Sequence, residues 1–337
     1  MAKAVACVSG GLDSALAVAL IQRQGIEVTA LHVAHLWHSR PFDAREAPPT
    51  VREMEARGVR VVVVDGSAAD LEVVRRPRFG FGKRMNPCLD CRIWTLAQAR
   101  RLMEAEGAAF VFTGEVLGQR PMSQHRQALD LVARESGLGD LLLRPLSAKR
   151  LPPTRPEREG VVDRERLLGI VGRSRHEQMA LAAAWGITEF TSPAGGCLLT
   201  DPIFAHRMRE HLAHGALAAG DVELLKVGRH FRLDDETRLV IGRHQADNDR
   251  IVALFGAGDM RLEAADMPGP TTLLRGRATA ENLLAAARMT LRYCKAEAGK
   301  TYAVTVTPTG GAPTALEATA ADEADIERLR IAPEGAA

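Results

Sequence analysis

Cys88-Leu89-Asp90-Cys91 sets two thiols three positions apart, within reach of one metal ion or of each other. A third thiol, Cys197, follows Pro193-Ala194-Gly195-Gly196, while Cys7 lies in an apolar stretch that reads as a buried strand and Cys294 in a later region of different character. Cys88, Cys91 and Cys197 suit three chemistries. Structural zinc wants four protein ligands. A 4Fe-4S cluster held by three cysteines keeps one iron open to sulfide. A persulfide relay uses one cysteine to carry sulfur and another to resolve it as a disulfide. Pro87 and the preceding Gly80-Phe81-Gly82 place the pair on a loop that runs into a helix at Ile93. That helix N-terminus, with Arg84 and Arg92, is expected to lower the thiol pKa values.

A second constellation is Ser9-Gly10-Gly11-Leu12-Asp13-Ser14, between an apolar strand and a helix rich in Ala, Leu and Val. Backbone N–H groups and the helix dipole converge there and favour an anion, and the glycines let the backbone approach phosphate oxygens. The lysine-bearing phosphate motif and the dinucleotide pattern GxGxxG are both absent, which argues against ordinary NTPases and dehydrogenases. Asp13 would repel phosphate unless a hard cation such as Mg²⁺ bridged them. The plain alternative is a glycine turn with no ligand.

The elements that must position these groups alternate. Strands at Val5–Val8, Val28–Val33, Val59–Asp65 and Ala109–Phe112, with room for crossover helices and a helix at Ile93–Glu106, predict a doubly wound parallel α/β sheet. Leu142–Pro156 holds four prolines and reads as an extended loop. One or two helices are expected over Leu167–Trp185, a break at Thr191–Gly196, and a helix at Ile203–His214 that closes a first domain over residues 1–215. Residues 222–320 read as a smaller α+β domain, with a helix at Ala278–Lys295 and a last strand at Thr301–Val306; an acidic tail covers 321–337.

With 46% hydrophobic and 26% charged residues and no run of 18 apolar positions, neither disorder nor a membrane span is expected. The first residues lack a secretory pattern, so the expectation is a cytoplasmic protein. A net charge of +2 does not announce a nucleic-acid binder, but residues 75–101 carry eight Lys/Arg against the single acid Asp90. Compositional bias toward arginine accounts for such a patch equally well.

SGGLDS after the first strand resembles the signature of the PP-loop ATP pyrophosphatase superfamily, whose members activate a carbonyl-type oxygen by adenylation. The resemblance implies an adenine nucleotide alpha hydrolase-like fold in which Ser9, Gly10, Gly11, Asp13 and Ser14 hold ATP phosphates and Mg²⁺. Adenosine would be flanked by Leu31–Ala34 and by Thr113 and Gly114, at the carboxyl ends of the strands. Thr113-Gly114-Glu115, Gly118-Gln119, Ser123-Gln124 and Arg144-Pro145-Leu146 resemble a series in ThiI-type tRNA thiouridine synthases, and Gln119 joins the ATP-binding set on that basis. The CxxC pair plus a distant cysteine is similar to that of the cluster-dependent tRNA thiolases. These likenesses cover roughly residues 1–210, with neither a THUMP-like nor a rhodanese region expected. Leu239–His244 with Asn248-Asp249 and Pro268-Gly269-Pro270 resembles the NFACT-R module of RNA-binding proteins.

Together the resemblances imply ATP-dependent tRNA thiolation, with Asp13, Cys88, Cys91 and Cys197 catalytic and Arg84, Arg92, Arg243 and Arg275 on the RNA. Cofactors would be ATP, Mg²⁺ and, under one of the three cysteine readings, a 4Fe-4S cluster; partners would be tRNA and a sulfur donor, either sulfide or a cysteine desulfurase. Homodimerisation stays open. Two other classes also stay open: an ATP-dependent amidating or ligating enzyme on a small acid, and a noncatalytic RNA-binding protein.

Overall fold

The structure, a computed structural model, describes residues 2–38, 41–43, 47–56, 58–188, 190 and 196–333. The chain divides into two compact units, Met1–Cys197 and Leu198–Ala337. In the first, β1 (Lys3–Val8), α1 (Leu12–Gln22), β2 (Glu27–Ala34), α2 (Pro49–Ala56), β3 (Arg60–Asp65), α3 (Ser67–Arg75), α4 (Cys88–Glu106), β4 (Phe110–Thr113), α5 (Arg126–Glu135), β5 (Leu142–Leu143), α6 (Arg155–Arg158) and α7 (His176–Ala184) follow one another.

The strands form a parallel sheet in the order β3-β2-β1-β4-β5. Side chains of a strand alternate between faces, and β1 uses both. Ala4, Ala6 and Val8 join the core against α1, α2 and α7, whereas Val5 and Cys7 join the one against α4 and α5. A strand buried on both sides needs an uninterrupted apolar run, which is what residues 4–8 supply. The chain progresses outward in one direction through β2 and β3 and in the other through β4 and β5. The crevice between β1 and β4, whose ends pair at Cys7 and Thr113, is therefore the topological switch point.

Several expectations are corrected. α4 starts at Cys88 rather than Ile93, so the CxxC pair forms the first helical turn, with Pro87 as N-cap and the Cys91 N–H on Pro87 O at 3.0 Å. The stretch 142–156 is not simply extended: Leu142-Leu143 pair with Val111-Phe112, and a single turn, α6, starts at Arg155 behind a capping box of Thr154 and Glu157. Within 167–185 only His176–Ala184 is α-helical. Leu167 and Ile170 are buried, and Val171 bridges Leu117. The expected break at Thr191–Gly196 lies, except for Gly196, outside the described residues.

The second unit contains α8 (Pro202–His214), α9 (Ala219–Leu225), β6 (Arg229–Asp234), β7 (Thr237–Ile241), α10 (Gln245–Ala253), β8 (Met260–Ala264), β9 (Thr272–Arg275), α11 (Ala280–Arg292), β10 (Thr301–Pro308), β11 (Thr314–Thr319) and α12 (Glu323–Leu329). Its sheet is antiparallel throughout, in the order β11-β10-β8-β9-β7-β6. One face packs on α11 through Leu239, Leu262, Leu274 and Ala286. The other meets Leu224 and Ile251 of α9 and α10. The expected boundary near residue 215 moves to 197/198, because α8 belongs here: Arg207 donates to the carbonyls of Leu225 (3.0 Å) and Gly228 (2.9 Å). The strand at Thr301 is followed by β11, and the tail is partly folded, with Ile326 buried and Ile331 N–H on His230 O at 2.8 Å. Among the described residues no helix is long and apolar enough to cross a membrane.

Candidate functional site

The loop after β1 ends at Gly11, the N-cap of α1. Gly10 has φ +80°, and a Cβ there would stand 2.8 Å from Pro48 Cβ, so both the turn and its packing require glycine. Ser14 folds its hydroxyl back on Gly11 O at 2.7 Å. Asp13, in the first turn of α1, accepts from Gln119 Nε2 at 2.7 Å, and Arg175 Nη2 lies 3.5 Å from the same oxygen, Oδ2. Oδ1 is buried and has no hydrogen-bond partner among the described residues. An orphaned carboxylate oxygen at a helix N-terminus fits a hard cation that brings phosphate with it. Gln178, fully buried on α7, approaches Gln119 Oε1 at 3.5 Å.

The end of β4 lies directly against this loop. A Cβ on Gly114 would fall 2.4 Å from Asp13 C and 2.5 Å from Ser14 N, so the residue after Thr113 must be glycine for the two to touch. The next residue, Glu115, is buried between two guanidinium groups, Arg92 Nε at 2.9 Å and Arg144 Nε at 3.0 Å. Burial alone would raise its pKa, but Arg92 and Arg144 outweigh that and hold it near 2. Thr113 gives its hydroxyl proton to Glu115 Oε2 at 3.1 Å, so its side chain is turned to this ion triad and only its backbone flanks the crevice.

Arg92 follows Cys91, so the short path Asp13, Gly114, Glu115, Arg92 links the phosphate-type loop to the CxxC turn by contacts and covalent bonds. Asp90, between the two cysteines, accepts the N–H groups of Arg78 (3.0 Å) and Phe79 (3.1 Å) and ties the basic segment to the same turn.

The cysteines separate in character. Cys7 is wholly buried and its thiol is pushed up to about 12, mainly by desolvation. Burial raises the pKa of Cys88 against the pull of Ser123, Arg92 and Arg120. The expected lowering by the helix terminus and nearby arginines is thus reversed there. Cys91 lies 3.9 Å from His35 Nε2, and His35 Nδ1 donates to Asp70 Oδ1 at 2.9 Å. Burial works against a charge on His35, but Cys91 and Asp70 overcome it and bring the ring to about 10. Donor atoms of His35, Asp70 and Cys91 lie within 4.8 Å of one another, and among the described residues this is the group that gathers as a metal site would; neither Cys88 nor Cys197 is a member. Cys197 ends the first unit, half-buried, behind residues that are not described. Cys294, in the second unit, has its thiol on Thr290 O at 3.3 Å.

Of the arginines expected on RNA, three are ion-paired within the chain: Arg92 with Glu115, Arg243 with Asp247 (2.6 Å), and Arg275 with Asp259 (2.7 Å) and Asp221 (3.0 Å). Their charges are already answered by carboxylates. Arg84 is exposed, at φ +60°. The sequence reading missed His35, Asp70, Arg175 and Gln178. The available signal for His35 was its place just after the β2 end already taken as part of the crevice.

The glycine loop and its acidic residue lie at the switch point of a parallel sheet, the place where open α/β sheets bind ligands. Residues 1–149 match the family model described as Thiamine biosynthesis protein (ThiI), and residues 228–330 the one described as NFACT protein RNA binding domain. The amino-terminal part of the chain is thus similar to ThiI proteins and the carboxy-terminal part to the NFACT RNA-binding domain. A probable tRNA sulfurtransferase of Methanothermobacter thermautotrophicus is 32% identical over 124 residues, 35% of this chain and 30% of that protein. One of Caldanaerobacter subterraneus is 24% identical over 198 residues, 48% of this chain and 50% of that protein. The chain thus spans between about a third and a half of the length of these relatives. A crystal structure titled as a 4-thiouridine synthetase–RNA complex with bound ATP aligns with 67% of this chain and 52% of that one at 17% identity and a TM-score of 0.39, too weak a likeness to add to the sequence matches.

Proposed function

We propose that the chain is an ATP-dependent tRNA sulfurtransferase that adenylates a uridine carbonyl oxygen and exchanges it for sulfur. The observation that carries this reading is the orphaned Asp13 Oδ1 at the N-terminus of α1, inside the region that matches the ThiI model. Ser9, Gly10, Gly11 and Ser14 cradle the β and γ phosphates, Asp13 Oδ1 would hold Mg²⁺, which would offset phosphate charge, and Gln119 and Arg175 fix Asp13. Adenosine lies beside Leu31–Ala34 and the Thr113–Gly114 backbone. The carbonyl oxygen attacks the α phosphorus and pyrophosphate leaves; sulfur then attacks the same carbon and AMP departs, because AMP is a far better leaving group than the bare oxygen. The chain's contribution is alignment and charge stabilisation.

Two soft thiols on one helical turn fit a thiophilic metal. A 4Fe-4S cluster held by Cys88, Cys91 and Cys197 would supply an open iron for sulfide. With sulfide as donor the exchange needs no redox partner. If the donor is a cysteine desulfurase, a persulfide on Cys197 or Cys91 instead requires a second cysteine to accept the carrier sulfur as a disulfide. The NFACT-type domain and the segment around Arg84 supply the grip on tRNA, which weakens steeply with salt.

The test is tRNA-dependent pyrophosphate release, with thiouridine read by mass spectrometry. Asp13→Ala should abolish both while tRNA binding persists. Undiminished release from that variant would refute the role of the loop. Release driven by a small acid rather than tRNA would favour the ligase reading, and tRNA binding without any ATP turnover by the wild type would leave an RNA-binding protein.

A further inference from the structure

We propose that His35 is a further ligand of the thiophilic metal centre at Cys91, binding through Nε2, with Asp70 as the carboxylate that orients its ring. The proposal rests on the reading of Cys91 as a metal ligand and is independent of the thiolation chemistry. Three elements meet to build the group: His35 follows the last residue of β2, Asp70 lies in the first turn of α3, and Cys91 in the first turn of α4.

Geometry favours coordination. Metal–sulfur and metal–nitrogen bonds of about 2.3 and 2.0–2.1 Å at a tetrahedral ion put the two donor atoms ~3.5 Å apart. Cys91 Sγ and His35 Nε2 are 3.9 Å apart, so a small rotation of one side chain suffices. The opposite ring nitrogen is already committed, since Nδ1 donates to Asp70 Oδ1 at 2.9 Å. Asp70 is 2% exposed, and its other oxygen accepts the N–H of Leu36 at 2.7 Å, so the carboxylate cannot swing away. A histidine held in this way by a carboxylate is the arrangement that fixes tautomer and ring plane at metal sites. Thr95 directs its hydroxyl proton at Cys91 O (2.9 Å) and not at Nε2, 3.5 Å away. Cys88, three residues before Cys91 and outside the gathered group, would have to turn toward the ion to serve as a further donor.

Nitrogen and sulfur donors 3.9 Å apart suit one zinc-class ion. Each iron of a 4Fe-4S cluster takes one protein ligand, so this pair does not serve one cluster iron, and experiment checks the distinction. Metal-free full-length protein is titrated anaerobically with Co²⁺. The wild type should show sulfur-to-cobalt charge transfer with tetrahedral ligand-field bands. His35→Ala should lose at least 100-fold in affinity, and Asp70→Asn, which removes only the orienting group, about 10- to 100-fold. In the second arm, protein reconstituted with ferrous iron and sulfide is reduced and examined by pulsed EPR. Cobalt binding that needs His35, with no histidine nitrogen coupling on the reconstituted iron, supports the single-ion site. A coupling that vanishes in His35→Ala instead puts His35 on the iron that three cysteines leave open and overturns the shared-ion geometry. Unfolding curves of His35→Gln matching the wild type exclude collapse of the fold as the cause. Wild-type affinity and spectra for His35→Ala in both arms, or a wild type that takes up neither metal, would overturn the proposal. Failure of the Asp13→Ala test would leave it standing.

Discussion

Gln119 Nε2 donates to Asp13 Oδ2 across 2.7 Å, joining residues 106 apart in the chain. Gln119 thereby fixes which carboxylate oxygen stays open. A hydrogen bond to a charged group contributes about 1.5–3 kcal/mol. Gln119→Ala should therefore weaken ATP binding by about tenfold or more, measured by calorimetry with Mg·ATP, while the thermal midpoint moves little.

Gly114→Ala inserts a methyl group into the Asp13 backbone, which has no room to retreat without shifting the loop. Overpacking of this kind costs about 1–3 kcal/mol. Urea unfolding should show that loss, and nucleotide binding should fall with it because the strained atoms belong to the loop itself.

Glu115→Gln leaves Arg92 and Arg144 facing each other across a neutral amide. Breaking a buried pair in this way costs about 3–5 kcal/mol. Acid should act on the same triad. The folded pKa of Glu115, near 2, lies below its ordinary 4.5, so its stabilisation is complete above 4.5 and is lost as pH falls through the folded value. A stability curve measured between pH 5 and 2 should slope downward more steeply for the wild type than for Glu115→Gln. Parallel curves would refute the charge assignment.

Native-state alkylation should separate the thiols. Cys7, buried with its thiol pushed up to about 12, should stay unlabelled by iodoacetamide until the protein unfolds. Cys7→Ala should keep thiolation activity, whereas Cys91→Ala should abolish it. Equal loss in both variants, read by thiouridine mass spectrometry, would count against the assigned sulfur site.

The parts of the fold legible in sequence are those with a local cause. β1, β2 and β4 are covered on both faces and so are written as mostly apolar runs. The glycine loop announces itself by composition and position. β5 was not legible, because two leucines beside prolines carry no strand pattern of their own and only pairing with β4 makes them a strand. α4 starts earlier than Pro87 and Gly80-Phe81-Gly82 suggest, because Pro87 is the N-cap itself and Asp90 is a first-turn acid whose oxygens hold two N–H groups of the preceding segment. His35 with Asp70 and Arg175 with Asp13 meet across 35 and 162 positions, and no spacing rule reaches that far.

The two-sided burial of β1 makes that strand a bulkhead. Its even-numbered residues face the layer containing α1 and α7, which supply Asp13 and Gln178, and its odd-numbered residues face the layer whose α4 bears the CxxC turn. The phosphate-type loop and the CxxC turn are thus anchored on opposite sides of the sheet and, among the described residues, are joined at its rim where Gly114 and Glu115 pass from one to the other. Inserting a single residue into β1 would exchange the two parities, setting Cys7 against α1 and Ala6 against α4, and would misfit both compartments at once.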